Sequence, residues 1–158
     1  MKSSRPPPRP IHLAPLHEGV DVTAESLRRF FAVIEASGAY PIPPGELSVA
    51  LMDDAALARV HAAFLDDPSP TDVITFPGEP GEGLAGEICV SVDAALREAT
   101  RRGHPPEREL ALYLAHGWLH LAGLDDLDEA GRTAMRTGER ELLARAEAAN
   151  AWPAWRMR

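Results

Sequence analysis

Cysteine is almost missing from this chain: Cys89 stands alone, so no internal disulfide can form. Lysine is equally scarce, with Lys2 the one lysine among sixteen basic residues. No apolar run approaches the roughly 18 residues that a membrane-spanning helix needs. The opening stretch, MKSSRPPPRP, is positively charged but no apolar segment follows it, so it does not read as a secretory signal. Together these features set the expectation of a cytoplasmic protein with no membrane partner. Positive charge is also short. A formal net charge of −8 argues against broad, nonspecific nucleic-acid binding, yet it permits a local basic groove. The preference for arginine suits phosphate recognition through a planar fork, and a genomic codon bias explains it equally well.

What is present fits one globular domain. The 158 residues are 45% hydrophobic and 25% charged, ordinary usage for a chain with a real core. Residues 1–10 are Pro-rich and basic and read as a disordered or extended tail. The domain proper is expected over 11–150, with a C-terminal tail at 151–158. Ile11 to Leu16 suits a strand. Thr23 can cap a helix that buries Phe30, Phe31 and Ile34 and ends at Gly38. Leu47 to Met52 reads as a buried strand, and a helix follows from Asp53 or Asp54 to about Leu65. DVITF (72–76) and EICVSV (87–92) are rich in β-branched residues and read as strands. Helices are expected from Asp93 to about Arg102, from Pro105 or Pro106 to about Ala122 with Gly123 past its end, and over roughly 127–149. This order predicts an α/β (α+β) domain: a small mixed sheet of about four strands layered with about five helices.

The segment with most chemistry is HGWLHLAGLDD, 116–126. His116 and His120 are four residues apart, so a helix stacks them on one face. Gly123 lets the chain turn back, and Asp126 then lies where a third ligand is needed, with Asp125 beside it as a rival. Two histidines and a carboxylate form a common zinc donor set, and three protein donors leave a position open. The plainer alternative is a chance histidine pair on the helix surface, with Asp126 and Glu129 as a capping pair for the last helix.

These residues resemble the YbeY family of zinc-dependent ribosomal RNA maturation factors. Its pattern H-G-x-L-H-L-x-G-Y-D-H is matched at His116, Gly117, Leu119, His120, Leu121, Gly123 and Asp125. A second family block, P-T-D-V-L-S-F-P, is similar to Pro70–Pro77, and a third, G-D-I-x-I-S, to Gly86–Ser91. Met135 and Glu139 match residues usual in the family's last helix. The resemblance runs in order over roughly 45–143. It departs where Asp126 replaces a third histidine, Leu124 a tyrosine, and Leu65 an arginine linked with RNA handling; Arg59 is near Leu65 in sequence. Aspartate remains a competent zinc ligand, harder than imidazole.

The resemblance implies one Zn2+ per chain held by His116, His120 and Asp126. It implies a single-strand-specific endoribonuclease acting in small-subunit rRNA end maturation and ribosome quality control. Its implied partners are single-stranded rRNA, the small ribosomal subunit and assembly factors. The alternative is a ribosome-assembly binding protein whose metal is structural. Gly117 stands where HExxH proteases carry their glutamate base, which argues against a protease.

No general base stands out. Asp72, at a strand start after a Pro-Thr loop, is a candidate, although loop-shaping hydrogen bonds are the favoured reading for it and for Thr71. Glu87 can face either the site or solvent. Arg97, Arg101, Arg102 and Arg108 gather near the start of the metal helix and are expected to edge an RNA groove, or else to be a solvated helix end. His12, His17 and His61 read as surface or core residues, His104 as a helix-flanking polar residue, Cys89 as inert core, Trp118 as packing, and the Trp152–Trp155 tail as docked on the domain.

Overall fold

The structure is a computed structural model that describes residues 8–65 and 72–158. The start of the Pro-rich tail, the 66–70 break, Thr71 and the side chain of Leu65 lie outside what is described. The elements in order are β1 (Ile11–Pro15), β2 (Val20–Val22), α1 (Ala24–Glu35), β3 (Glu46–Met52), α2 (Asp54–Leu65), β4 (Val73–Pro77), a 3-10 turn at Pro80–Glu82, β5 (Leu84–Ser91), α3 (Val92–Arg102), α4 (Pro106–Leu121), α5 (Glu129–Ala148) and β6 (Trp155–Met157).

Four strands form the main sheet in the order β1-β3-β5-β4. β1, β3 and β5 run parallel, and β4 closes one edge antiparallel to β5. The parallel strands need crossovers, and the helices supply them. Alternation along the strands sorts the two faces. Leu47, Val49, Leu51, Ile88 and Val90 enter the larger core, shared with α1, α3, α4 and α5. Ala50, Met52, Ile74 and Cys89 face the other way and pack with Leu57 of α2. The expected four-strand sheet and five helices are therefore present.

A second, two-stranded sheet was not expected. β2 pairs antiparallel with β6, Val22 opposite Trp155. Arg158 donates to Asp21 through Nε at 2.8 Å, and its backbone N–H donates to the Gly19 carbonyl at 2.9 Å. At the other end of the chain, Arg9 donates to Glu35 at 2.6 Å and to the carbonyls of Pro43 and Gly45 at 2.8 and 2.7 Å. Arg9 and the 151–158 tail thus contribute ordered contacts.

The helix that carries the histidines is fixed on both sides. Trp118 is fully buried, stacks on Phe31 with centroids 5.8 Å apart, and donates its indole N–H to the Tyr40 carbonyl at 2.8 Å. On the sheet side, a Cβ at Gly117 would stand 2.7 Å from the Ile88 side chain, and one at Gly86 would stand 2.7 Å from Leu121. These two glycines let α4 lie directly on β5 and set the height of the histidines above the sheet.

Candidate metal centre

Helix α4 begins with Pro106 in its first turn, followed by Glu107 and Glu109, which suit the positive end of the helix. It ends in a Schellman motif. Gly123 takes φ +102°, its N–H donates to His120 O at 3.0 Å, and Leu124 N–H donates to Leu119 O at 3.0 Å. Leu124 is the apolar residue that usually accompanies this motif, and it packs against the core. The motif reverses the chain and carries Asp126 back over the last turn of α4.

His116, His120 and Asp126 each offer a ligand atom within 4.8 Å of the other two, so this group can hold a metal ion. The two Nε2 atoms are 3.0 Å apart, and the rings meet edge to face with centroids 4.6 Å apart. That spacing is close to what two bonds of about 2.0–2.1 Å to one ion would span. Both rings are half-buried, while Asp126 is exposed. Burial lowers the pKa of His120 and the neighbouring His116 lowers it further, against an opposing effect of Asp126. The neutral imidazole, the form that donates to a metal, is therefore favoured.

Each neighbouring carboxylate has a distinct place. Glu139 of α5 sets Oε1 3.5 Å from His116 Nδ1, the side facing away from His120. A carboxylate there fixes ring orientation and leaves Nε2 for an ion. Asp125 Oδ1 accepts from Leu127 N–H at 3.1 Å and shapes the loop. The cap of α5 is Asp128, which accepts from Gly131 N–H at 2.7 Å. Asp126 is thus not the cap of α5. The role of Glu139 was not legible from local spacing, because 23 residues separate it from His116.

The other candidates gather elsewhere. Asp72 lies before β4, and its carbonyl accepts from Ser91 N–H at 2.9 Å. Burial raises its pKa; Arg97 opposes this, and Glu98 and Asp54 reinforce it. Arg97 pairs with Asp54 at 3.0 Å, Arg101 with Glu98 at 2.5 Å, and Arg102 with Glu109 at 3.0 Å. Arg102 and Arg108 line a cavity of about 310 Å³ with His104, Glu109, Leu112 and Leu143. Arg108 precedes His116 by two helical turns, about 12 Å along α4. Glu87 pairs in register with Ser48 and Phe76, and its Oε1 lies 3.7 Å from Cys89 Sγ, on the α2 face of the sheet rather than beside α4. His12 is exposed and His61 is buried. His17 accepts Gly19 N–H at Nδ1 and contacts Asp93 through Nε2 at 2.8 Å.

The family model for Endoribonuclease YbeY matches residues 18–147. The chain belongs to the YbeY family. It is 34% identical over 137 residues to Endoribonuclease YbeY of Thermobifida fusca, covering 80% of this chain and 87% of that one. Its YbeY relative in Synechococcus sp. strain RCC307 is 35% identical over 147 residues, covering 87% and 92%. The fold matches the solution structure of TM1509 from Thermotoga maritima with a TM-score of 0.62 at 24% identity, over 88% of this chain and 90% of that one. Within this YbeY chain, Asp126 brings a carboxylate to the two histidines, and Leu124 completes the turn that places it. Among the described residues, no helix is long and apolar enough to cross a membrane.

Proposed function

We propose that this protein is a metal-dependent endoribonuclease that cuts single-stranded RNA and acts in small-subunit rRNA end maturation in the cytoplasm. One ion, zinc by the nature of the donors, is held by His116, His120 and Asp126. The observation that carries this reading is the convergence of these three donors at the end of α4, with Glu139 behind His116. Three protein donors with an exposed carboxylate leave a side open to substrate, as catalytic zinc sites do. A bound ion supplies Lewis-acid polarisation of a phosphodiester and acidifies water to near neutrality.

The chain's own residues set up this chemistry. Burial disfavours the charged form of His120. Glu139 orients His116. The packed wall behind them, Trp118 and Leu119, holds the helix still and excludes water from the rear of the site. Small ribosomal subunit components are the implied partners.

The test is cleavage of an end-labelled single-stranded RNA, with and without chelator, on protein whose melting curve shows that it stays folded. Cleavage should vanish with chelator, return with zinc, and be missing in His120→Ala. Stoichiometric metal with no cleavage of any RNA would sink the nuclease reading and leave an assembly protein with a structural ion.

A further inference from the structure

The arginines of α3, near the start of α4, are spent on carboxylates, yet an RNA strand at the metal centre needs positive charge close by. The net charge of −8 makes long-range attraction unfavourable, so that charge has to be local. Helix α5 supplies it. Arg132 Nη1 lies 3.5 Å from the carbonyl oxygen of Asp126, which sets its guanidinium over the loop that carries the third donor. Arg136 follows one turn later, and Glu139 three residues beyond that. Residues at these spacings share one helix flank, and Glu139 on that flank reaches His116.

Both arginines are exposed. Among the described residues neither lies within ion-pair distance of a carboxylate, in contrast to Arg97, Arg101 and Arg102. The further contact of Arg136 is a 3.5 Å approach to Thr133 Oγ1, at the outer limit of hydrogen bonding. Two unpaired guanidinium forks beside a three-donor centre suit a phosphodiester. Each can meet a phosphate with paired N–H groups, and charge held there favours the extra negative charge of the transition state.

We propose that Arg132 and Arg136 bind and position the RNA phosphate backbone at the metal centre, an inference that rests on the ribonuclease reading above. The experiment compares the zinc-loaded wild type with Arg132→Ala/Arg136→Ala, Arg132→Lys/Arg136→Lys and, as comparator, Arg101→Glu/Arg102→Glu. Binding of a fluorescein-labelled single-stranded RNA is followed by anisotropy at several salt concentrations, beside cleavage rate, zinc content and melting temperature.

The alanine pair should lose about ten-fold or more in affinity. Its slope of log affinity against log salt should be shallower by about 1.4, near 0.7 for each lost contact. Cleavage should fall further than affinity, with zinc content and melting temperature unchanged. The lysine pair should regain affinity more than cleavage rate, because lysine keeps the charge without the fork. Unchanged affinity and slope in the alanine pair overturn the proposal, most clearly if the Arg101/Arg102 reversal does weaken binding. A loss that tracks zinc content overturns it too, since Arg132 would then merely brace the Asp126 loop. Wild type that neither binds nor cuts RNA overturns this inference together with the reading beneath it.

Discussion

At its first turns α4 buries Glu109 completely and answers it with Arg102 at 3.0 Å and His104 at 3.9 Å. At its last turns the same helix leaves two imidazoles half-buried, 3.0 Å apart, with an exposed carboxylate brought over them by the loop. The first arrangement closes on itself: its carboxylate is matched from within the chain. The second concentrates three donor atoms with, among the described residues, no arginine or lysine in ion-pair contact with them, and such a donor set suits a metal ion. Polar residues on one helix can thus serve cohesion at one end and recognition at the other, and the presence or absence of an internal counter-charge distinguishes the two.

Removing the packing that anchors α4 should have the largest effect. Trp118→Ala takes away a fully buried ring and its stack on Phe31, and should destabilise the fold by about 3–5 kcal/mol. Urea unfolding of the chelated protein measures this. A loss under about 1 kcal/mol would show that α4 is not held by this packing.

Separating binding from stability comes next. His120→Ala should weaken zinc affinity by more than about a hundred-fold, whereas Glu139→Gln, which disturbs only an orienting contact, should weaken it by about 10–100-fold. Competition with a chromophoric chelator ranks the two, and a larger effect at Glu139 would reassign the donors.

The two aspartates of the following loop sharpen the contrast. Asp128→Ala removes the cap of α5 and should cost about 1 kcal/mol, or a melting shift of about 2–4 °C, with zinc retained. Asp126→Ala should do the reverse, losing zinc while the melting temperature of the metal-free protein stays put. Matching behaviour in the two variants would collapse the distinction.

The smallest effect concerns the closed end. Burial is the main cause raising Glu109 above its usual 4.5, with Arg102 and His104 working against it. A raised carboxyl pKa in the folded state means that the protonated form favours folding. That contribution is complete below the unfolded value and is lost as pH rises through the raised one. Glu109→Gln, fixed in the neutral form, should therefore gain on the wild type in melting temperature as pH rises above the usual carboxylate range. A difference that stays flat with pH would mean that Glu109 titrates as it does in the unfolded chain.

The histidine spacing and the glycine past the helix end were legible because both are local: four residues set a helical face, and one αL position ends a helix. The main strands were legible from β-branched runs bounded by proline and glycine. The β2–β6 pair was not, since Val20–Val22 and Trp155–Met157 are three residues each and the chain between them spans nearly the whole domain. Asp126 and Asp128 both sit where a cap is plausible, and only the Gly131 N–H decides for Asp128. The arginines at 97, 101 and 102 look like free charge in the sequence. Asp54 and Glu109 meet Arg97 and Arg102 once α2, α3 and α4 come together, and Glu98 meets Arg101 within α3.

The seat of Gly117 against Ile88 also limits what this scaffold can become. A Cβ there would stand 2.7 Å from the Ile88 side chain, so a glutamate grafted beside the first histidine would force Ile88 or α4 to shift. Peptidase-like machinery, which roots its proton acceptor in the metal helix itself, is disfavoured at this position of the chain by the close packing of α4 on β5. A proton acceptor here has to come from another element of the fold or with the substrate; the ribose hydroxyl of RNA gives up a proton when it attacks and cannot fill that role.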